Sequence, residues 1–149
     1  MILPLVGPLS LVFGFGLGVA NRFQTEYSQI KQIDVGIEKR LSLIDLKTSY
    51  GNWWDATHHP GALDSWYLSE QITVGPHFKN FDVGATFGVA YIAKPDTVLG
   101  SHFQFCPGAE WTIKDSRNVQ TGVYFEHFSD AGLNKINEGR NFLGVRIKL

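Results

Sequence analysis

The stretch LVFGFGLGVA at residues 11–20 alternates large and small side chains without a break. In an extended chain, successive Cβ atoms point to opposite faces. Leu11, Phe13, Phe15, Leu17 and Val19 therefore share one face, and Val12, Gly14, Gly16, Gly18 and Ala20 share the other. Two other readings compete, because the first twenty residues, MILPLVGPLSLVFGFGLGVA, carry no charge. A secretory signal fits Gly18 and Ala20 as the small residues before a cleavage after Ala20, but no Lys or Arg marks an n-region. A transmembrane helix is weakened by Pro4, Pro8, Gly7, Gly14, Gly16 and Gly18. The period of two favours a first strand at 11–20, with residues 1–10 as a leader or hydrophobic extension and 11–149 as a single β domain.

The same period recurs down the chain. Ile33, Val35, Ile37, Lys39 and Leu41 oppose Asp34, Gly36, Glu38 and Arg40. Phe81, Val83, Ala85, Phe87, Val89 and Tyr91 oppose Asp82, Gly84, Thr86, Gly88 and Ala90. At 102–113, Phe103, Phe105, Ala109, Trp111 and Ile113 oppose Gln104, Cys106, Glu110 and Thr112. The last two segments set Thr121, Val123, Phe125, Leu143, Val145 and Ile147 against Gly122, Tyr124, Glu126, Phe142, Arg146 and Lys148. Less regular strands at 46–54 and 66–78 complete a set of eight, at roughly nine to eleven residues each, the length a tilted strand needs to cross a bilayer.

The polarity of the two faces selects among barrels. A soluble lipocalin-like barrel lines its interior with apolar side chains. Here the non-apolar face combines glycines with Asp34, Glu38, Arg40, Glu110, Glu126 and Arg146, which fits a small interior filled by paired charges. The opposite face, rich in Phe, Leu, Ile and Val, belongs in lipid. The expected fold is all-β: an eight-stranded antiparallel up-and-down transmembrane β-barrel with a polar interior. Glu70 and Lys39 fall on the apolar face, where a bulge or snorkelling would account for them.

Composition narrows the partners. Thirteen basic residues against fourteen acidic ones leave a net charge of -1, which provides no electrostatic grip on nucleic acid. The sole cysteine, Cys106, forms no internal disulfide, and no Cys/His spacing of the zinc type is present. Cys106 is expected inside the barrel, beside a bulge at Pro107. His58 and His59 are adjacent, so in a strand they would point opposite ways, and a polar loop is the simpler reading. Trp53, Trp54, Trp66 and Tyr67 flank that loop and read as an interfacial girdle in preference to a sugar-stacking platform. Glu110 and Glu126 suggest either a glycosidase-like acid/base pair or, more economically, charge pairing with Arg40 or Arg146.

The candidate chemistry sits in HFSDAGLNKINEGRNFLGVRIKL, residues 127–149. His127 and Ser129 are two apart and share a face with Val123 and Phe125, so a base and a nucleophile would be displayed on an apolar surface. Such a place suits chemistry on a lipid. The segment resembles the C-terminal signature of the PagL-type lipid A 3-O-deacylases, in which His, an aromatic residue, Ser, Asn, Ala, Gly and Leu precede a turn and a Glu. Here Phe128, Ala131, Gly132 and Leu133 match, and the turn keeps Asn137 and Gly139. Asp130 stands in place of the Asn and Asn141 in place of the Glu.

The resemblance implies a carboxylic ester hydrolase of the bacterial outer membrane, acting on lipid A in lipopolysaccharide among membrane lipids, without metal or organic cofactor. It implies Ser129 as nucleophile and His127 as base. Asn141 would hold the imidazole, with Glu138 as a substitute third member. Gly132 N–H and the Asn137 side chain are the implied oxyanion donors. Asp130 either opposes the oxyanion or orients the turn through an Asx-type bond. The competing expectation is a catalytically degenerate barrel, a structural or binding component of a membrane or a phage particle, to which Asn141, Asp130 and the non-aromatic Leu149 correspond. A soluble ligand carrier ranks third, and a homo-oligomer is compatible with any of these.

Overall fold

The structure, a computed structural model, describes residues 8–21, 27–56, 64–95, 99–115, 119–133 and 139–149. Its strands are β1 Leu9–Asn21, β2 Tyr27–Leu41, β3 Ile44–Asp55, β4 Ser65–Val74, β5 Phe81–Ile92, β6 Phe103–Phe105, β7 Gly108–Lys114, β8 Gln120–Phe128 and β9 Arg140–Lys148. All pairings are antiparallel, and β1 pairs with both β2 and β9 while β4 pairs with β5, so the sheet closes on itself. Segments β6 and β7 both pair with β5 and form one stave, which gives an eight-stranded closed antiparallel barrel. Closure leaves no free edge, which lets a sheet sit in lipid with its backbone groups satisfied.

The split between β6 and β7 comes from Pro107, and it is not a bulge. Phe105 and Gly108 face Val89 and Thr86 across one seam and Ser129 and Glu126 across the other, so neither partner has gained or lost a residue. The ladder continues through Cys106 N–H to Gly88 O at 2.9 Å and His127 N–H to Pro107 O at 2.9 Å. Proline has no N–H to return to the His127 carbonyl. The expected bulge is therefore absent, while Cys106 does lie inside, fully buried.

Every strand keeps one face in and one face out. Phe13, Phe15, Ile33, Val35, Phe87, Val89, Trp111, Phe125 and Val145 are among the exposed apolar side chains. Their inward neighbours form a dense polar network. Arg146 donates to Glu110 at 2.6 Å and to Glu126 at 2.8 Å, and its guanidinium lies 4.1 Å from the Tyr124 ring centre. Lys148 bonds Glu38 at 2.8 Å and also contacts Glu110. Lys47 and Gln71 each reach Glu126 at 3.3 Å. Glu110 and Glu126 thus pair with Arg146. Arg40 pairs instead with Asp45 and Asp82, nearer one end of the barrel.

Three further expectations are corrected. Glu70 faces outward with no bulge in β4, whose register on β3 and β5 is uninterrupted, and its carboxylate accepts from the Thr48 hydroxyl at 2.8 and 2.9 Å. The fourth strand stops at Val74, before Gly75 and Pro76, and does not run to 78. Trp53 and Tyr67 are buried inside, because each neighbours an outward residue, Trp54 or Trp66, and adjacent strand residues cannot share a face. Residues 1–7 and the His58/His59 pair lie outside the described residues. Leu9 and Ser10, assigned to the leader, already belong to β1.

The connections at the two ends differ. Residues 42–43, 75–80 and 115–119 join strands at one end, whereas 22–26, 56–64, 93–102 and 129–139 join them at the other. Long connections mark the external end of an outer-membrane barrel and short turns the periplasmic end.

Candidate functional site

His127 lies at the external end of β8 and Asn141 at the start of β9, and the two are direct cross-strand partners. Both fall on the outward face by alternation, alongside Phe125 and Leu143, and both are half-buried. Direct opposition brings side chains within reach of each other. His127 Nδ1 stands 2.8 Å from Asn141 Oδ1. With that oxygen accepting, the Nδ1 proton is fixed and Nε2 is left with its lone pair.

Ser129, two residues beyond His127, continues the same outward face. Its N–H donates to Phe105 O at 3.1 Å and its carbonyl accepts from Phe105 N–H at 2.6 Å, so the backbone is still held by the β6 half-stave. Beyond it the chain turns sharply. Ala131 and Gly132 adopt φ of 55° and 80°, and Leu133 N–H closes the turn on Asp130 O at 3.1 Å. Two consecutive left-handed residues make a tight mirror-image turn, and an alanine in that region stores about 1 kcal/mol or more of strain.

Asp130 is fully buried, on the opposite side of the wall from Ser129, and its Oδ1 accepts from Gly132 N–H at 3.0 Å. The carboxylate therefore orients the turn as an Asx-type acceptor. The same bond occupies the N–H expected to serve as an oxyanion donor. Asn137 and Glu138, the other two residues the sequence points to, lie outside the described residues. Gly139 returns the chain with φ of 70°, and a Cβ built there would sit 2.5 Å from His127 Cε1 and 3.1 Å from Nε2. Only glycine lets the backbone lie against that edge of the imidazole.

The wall behind these residues is packed with aromatic rings. Phe128 and Phe142, the inward neighbours of His127 and Asn141, meet edge to face at 5.7 Å. Trp53 packs on both, at 5.3 and 6.0 Å, Tyr67 on Phe128 at 5.3 Å, and the Arg140 guanidinium lies 4.7 Å from the Trp53 ring centre. This aromatic plug fills the external end of the barrel. Gly18 is part of it, since a Cβ there would strike the Phe142 ring at 2.5 Å. On the outer surface, a groove of about 430 Å³ runs from Asn141 across β9 and β1 to β2, walled by Leu17, Val19, Phe125 and Leu143. The alternation in the sequence signals neither groove nor plug. Among the described residues no group of three His, Cys, Asp or Glu side chains is placed to hold a metal ion.

The model of the lipid A 3-O-deacylase (PagL) family matches residues 32–149, from within β2 to the end of the chain. The chain belongs to the lipid A 3-O-deacylase (PagL) family. Its fold is shared with the outer membrane enzyme PagL, whose crystal structure is 16% identical in sequence and matches with a TM-score of 0.65, over 94% of this chain and 98% of that one. Neisserial surface protein A (NspA) has the same architecture at 8% identity and a TM-score of 0.65, covering 95% of this chain and 96% of that one. No curated protein matches it by sequence. Family membership, together with a closed barrel whose outer wall is apolar, makes this PagL-family chain a protein of the bacterial outer membrane.

Proposed function

We propose that the chain is a Ser/His esterase that removes the acyl group ester-linked at the 3-position of lipid A. The observation that carries this reading is the 2.8 Å contact between His127 and Asn141 on a lipid-facing wall, with Ser129 two residues from His127 on the same face. Ser129 Oγ attacks the ester carbonyl as His127 Nε2 takes its proton. The tetrahedral intermediate collapses as Nε2 returns that proton to the sugar 3-oxygen, which leaves as an alcohol. Water, activated by the same nitrogen, then releases the 3-hydroxy fatty acid and restores the serine. The apolar groove beside Asn141 receives acyl chain without extraction of the substrate from the membrane. Family membership supports the substrate class.

Asn141 fixes the tautomer but brings no charge to the imidazolium. A bond to a charged partner is worth about 1.5–3 kcal/mol against about 0.5–1.5 for a neutral one, and each ~1.4 kcal/mol is tenfold in rate. Release of 3-hydroxy fatty acid from purified lipopolysaccharide by the detergent-solubilised protein tests the reading. Ser129→Ala is expected to abolish release and Asn141→Glu to raise it by about tenfold. A second reading, a barrel retained without catalysis, is favoured by the neutral Asn141 and by the engagement of Gly132 N–H with Asp130. No release from either the wild type or Asn141→Glu would establish that reading and refute the first.

A further inference from the structure

The groove beside Asn141 is apolar apart from one side. Of the residues that line it, Lys31 alone is charged, and Gln29 stands next to it on the same outward face of β2. Two cross-strand rows connect this pair to the proposed catalytic residues. His127 faces Asn141, Asn141 faces Val19 and Val19 faces Gln29. One step inward, Phe125 faces Leu143, Leu143 faces Leu17 and Leu17 faces Lys31. Each row spans three strand spacings, roughly 14 Å.

Height in the membrane follows from the tilt. The first row runs on to Ala56, whose N–H donates to Gln29 O and which lies beyond the end of β3, so rows climb outward from β8 towards β3. At a strand tilt of about 35–45°, three spacings climb roughly 9 Å, equal to between three and four residues along a strand. Lys31 is two residues inward of Gln29, which leaves it roughly 4 Å outward of His127. That puts Lys31 at roughly the height of Ser129, two residues outward of His127 at the external end of the lipid-facing wall, and one groove's width from it. Lys31 is exposed and has no carboxylate partner among the described residues. A lone ammonium beside an apolar trough, with an amide donor next to it, is complementary to an amphiphile whose sugar carries an anion.

We propose that Lys31, assisted by Gln29, is a phosphate-binding subsite that holds a phosphate ester on the sugar headgroup while an acyl chain lies in the groove and its ester reaches Ser129. The assignment rests on the reading of the site as a glycolipid esterase. Lysine's four-carbon stem narrows the gap to the dimensions of the sugar headgroup, so the anion and the scissile ester can be held at once. Lys31 is a specificity residue in this scheme and takes no part in bond making.

The test reads binding, so it does not depend on turnover. Ser129→Ala protein in detergent micelles is equilibrated with equal amounts of lipid A and lipid A stripped of its phosphates, and the bound forms are counted by native mass spectrometry. The expected preference for the phosphorylated lipid is about tenfold, a difference of ~1.4 kcal/mol. Adding Lys31→Gln is expected to bring it to near parity, whereas Lys39→Gln, at the inner end of the same strand face, keeps it. A preference unchanged by Lys31→Gln, or lost equally with Lys39→Gln, overturns the subsite. Inorganic phosphate at the same concentration is expected to leave the preference intact, and competition by it would make Lys31 a general anion site and overturn the glycolipid assignment. Failure of the wild type to release fatty acid refutes the esterase reading separately and leaves the binding result standing.

Discussion

Gly139 is the residue on which the geometry of His127 most narrowly depends. A methyl group at this position would lie 2.5 Å from His127 Cε1, and the backbone φ of 70° disfavours any L side chain. Gly139→Ala is expected to push the ring off Asn141 Oδ1 and to lower the rate of fatty-acid release by about 100-fold, the effect of a misplacement near 1 Å. The barrel should remain folded by heat-modifiable gel mobility, and an unchanged rate in folded protein would show that the ring position does not limit the reaction. Residue-scale features were legible where a period of two decides them. Alternation alone placed His127, Ser129 and Asn141 on one outward face, and register made His127 and Asn141 partners. Gly139's contact was not legible, because it depends on how a connection folds back. The engagement of Gly132 N–H by Asp130 is of the same kind, a turn bond that motif spacing leaves open between two roles.

At the level of strands, Pro107 separates β6 from β7 without disturbing register. The missing donor faces the carbonyl of His127, whose own N–H is 2.9 Å from Pro107 O. Pro107→Ala is expected to add that ladder hydrogen bond and to stabilise the barrel by about 0.5–1.5 kcal/mol in urea unfolding from lipid vesicles. A destabilised Pro107→Ala would mean that the fixed φ of proline matters more here than the absent bond. Staves β1, β2, β5, β8 and β9 were readable because their outward residues are almost all apolar and their inward ones small or charged. Staves β3 and β4 were less so. Thr48 and Glu70 interrupt their lipid face, while Trp53 and Tyr67 sit on the interior one, so hydropathy contrast falls although the geometry stays strict. Reading adjacent Trp53 and Trp54 as one girdle overlooked that constraint.

For the whole molecule, orientation and interior packing both have measurable consequences. With the long connections outside, a cysteine at Leu133, 76% exposed beside the site, is expected to react with a membrane-impermeant maleimide on intact cells. A cysteine at Leu43, 62% exposed in the short turn after β2, should react only after the envelope is opened, and buried Cys106 gives no background. The reverse pattern would invert the barrel and place the proposed site at the wrong leaflet. Opposite charges on one set of strand faces announced a paired interior, but which charges meet is set by strand register and by reach across the lumen, which alternation does not carry. Arg146 on β9 reaches Glu126 on neighbouring β8 and Glu110 on β7, whereas Arg40 on β2 meets its cross-strand partner Asp45 and, across the interior, Asp82. Arg146 is therefore the cation whose loss should be felt most, because two buried carboxylates and the Tyr124 ring surround it. Arg146→Met removes the positive member and leaves Glu110 and Glu126 undercompensated, at an expected cost of about 3–5 kcal/mol in urea unfolding from vesicles. A double variant, Arg146→Met with Glu126→Gln, removes part of the excess negative charge and should recover some of that loss. If the single change cost under about 1 kcal/mol, Lys47 and Lys148 would be sufficient to neutralise the interior, and the network would be redundant where the geometry makes Arg146 its hub.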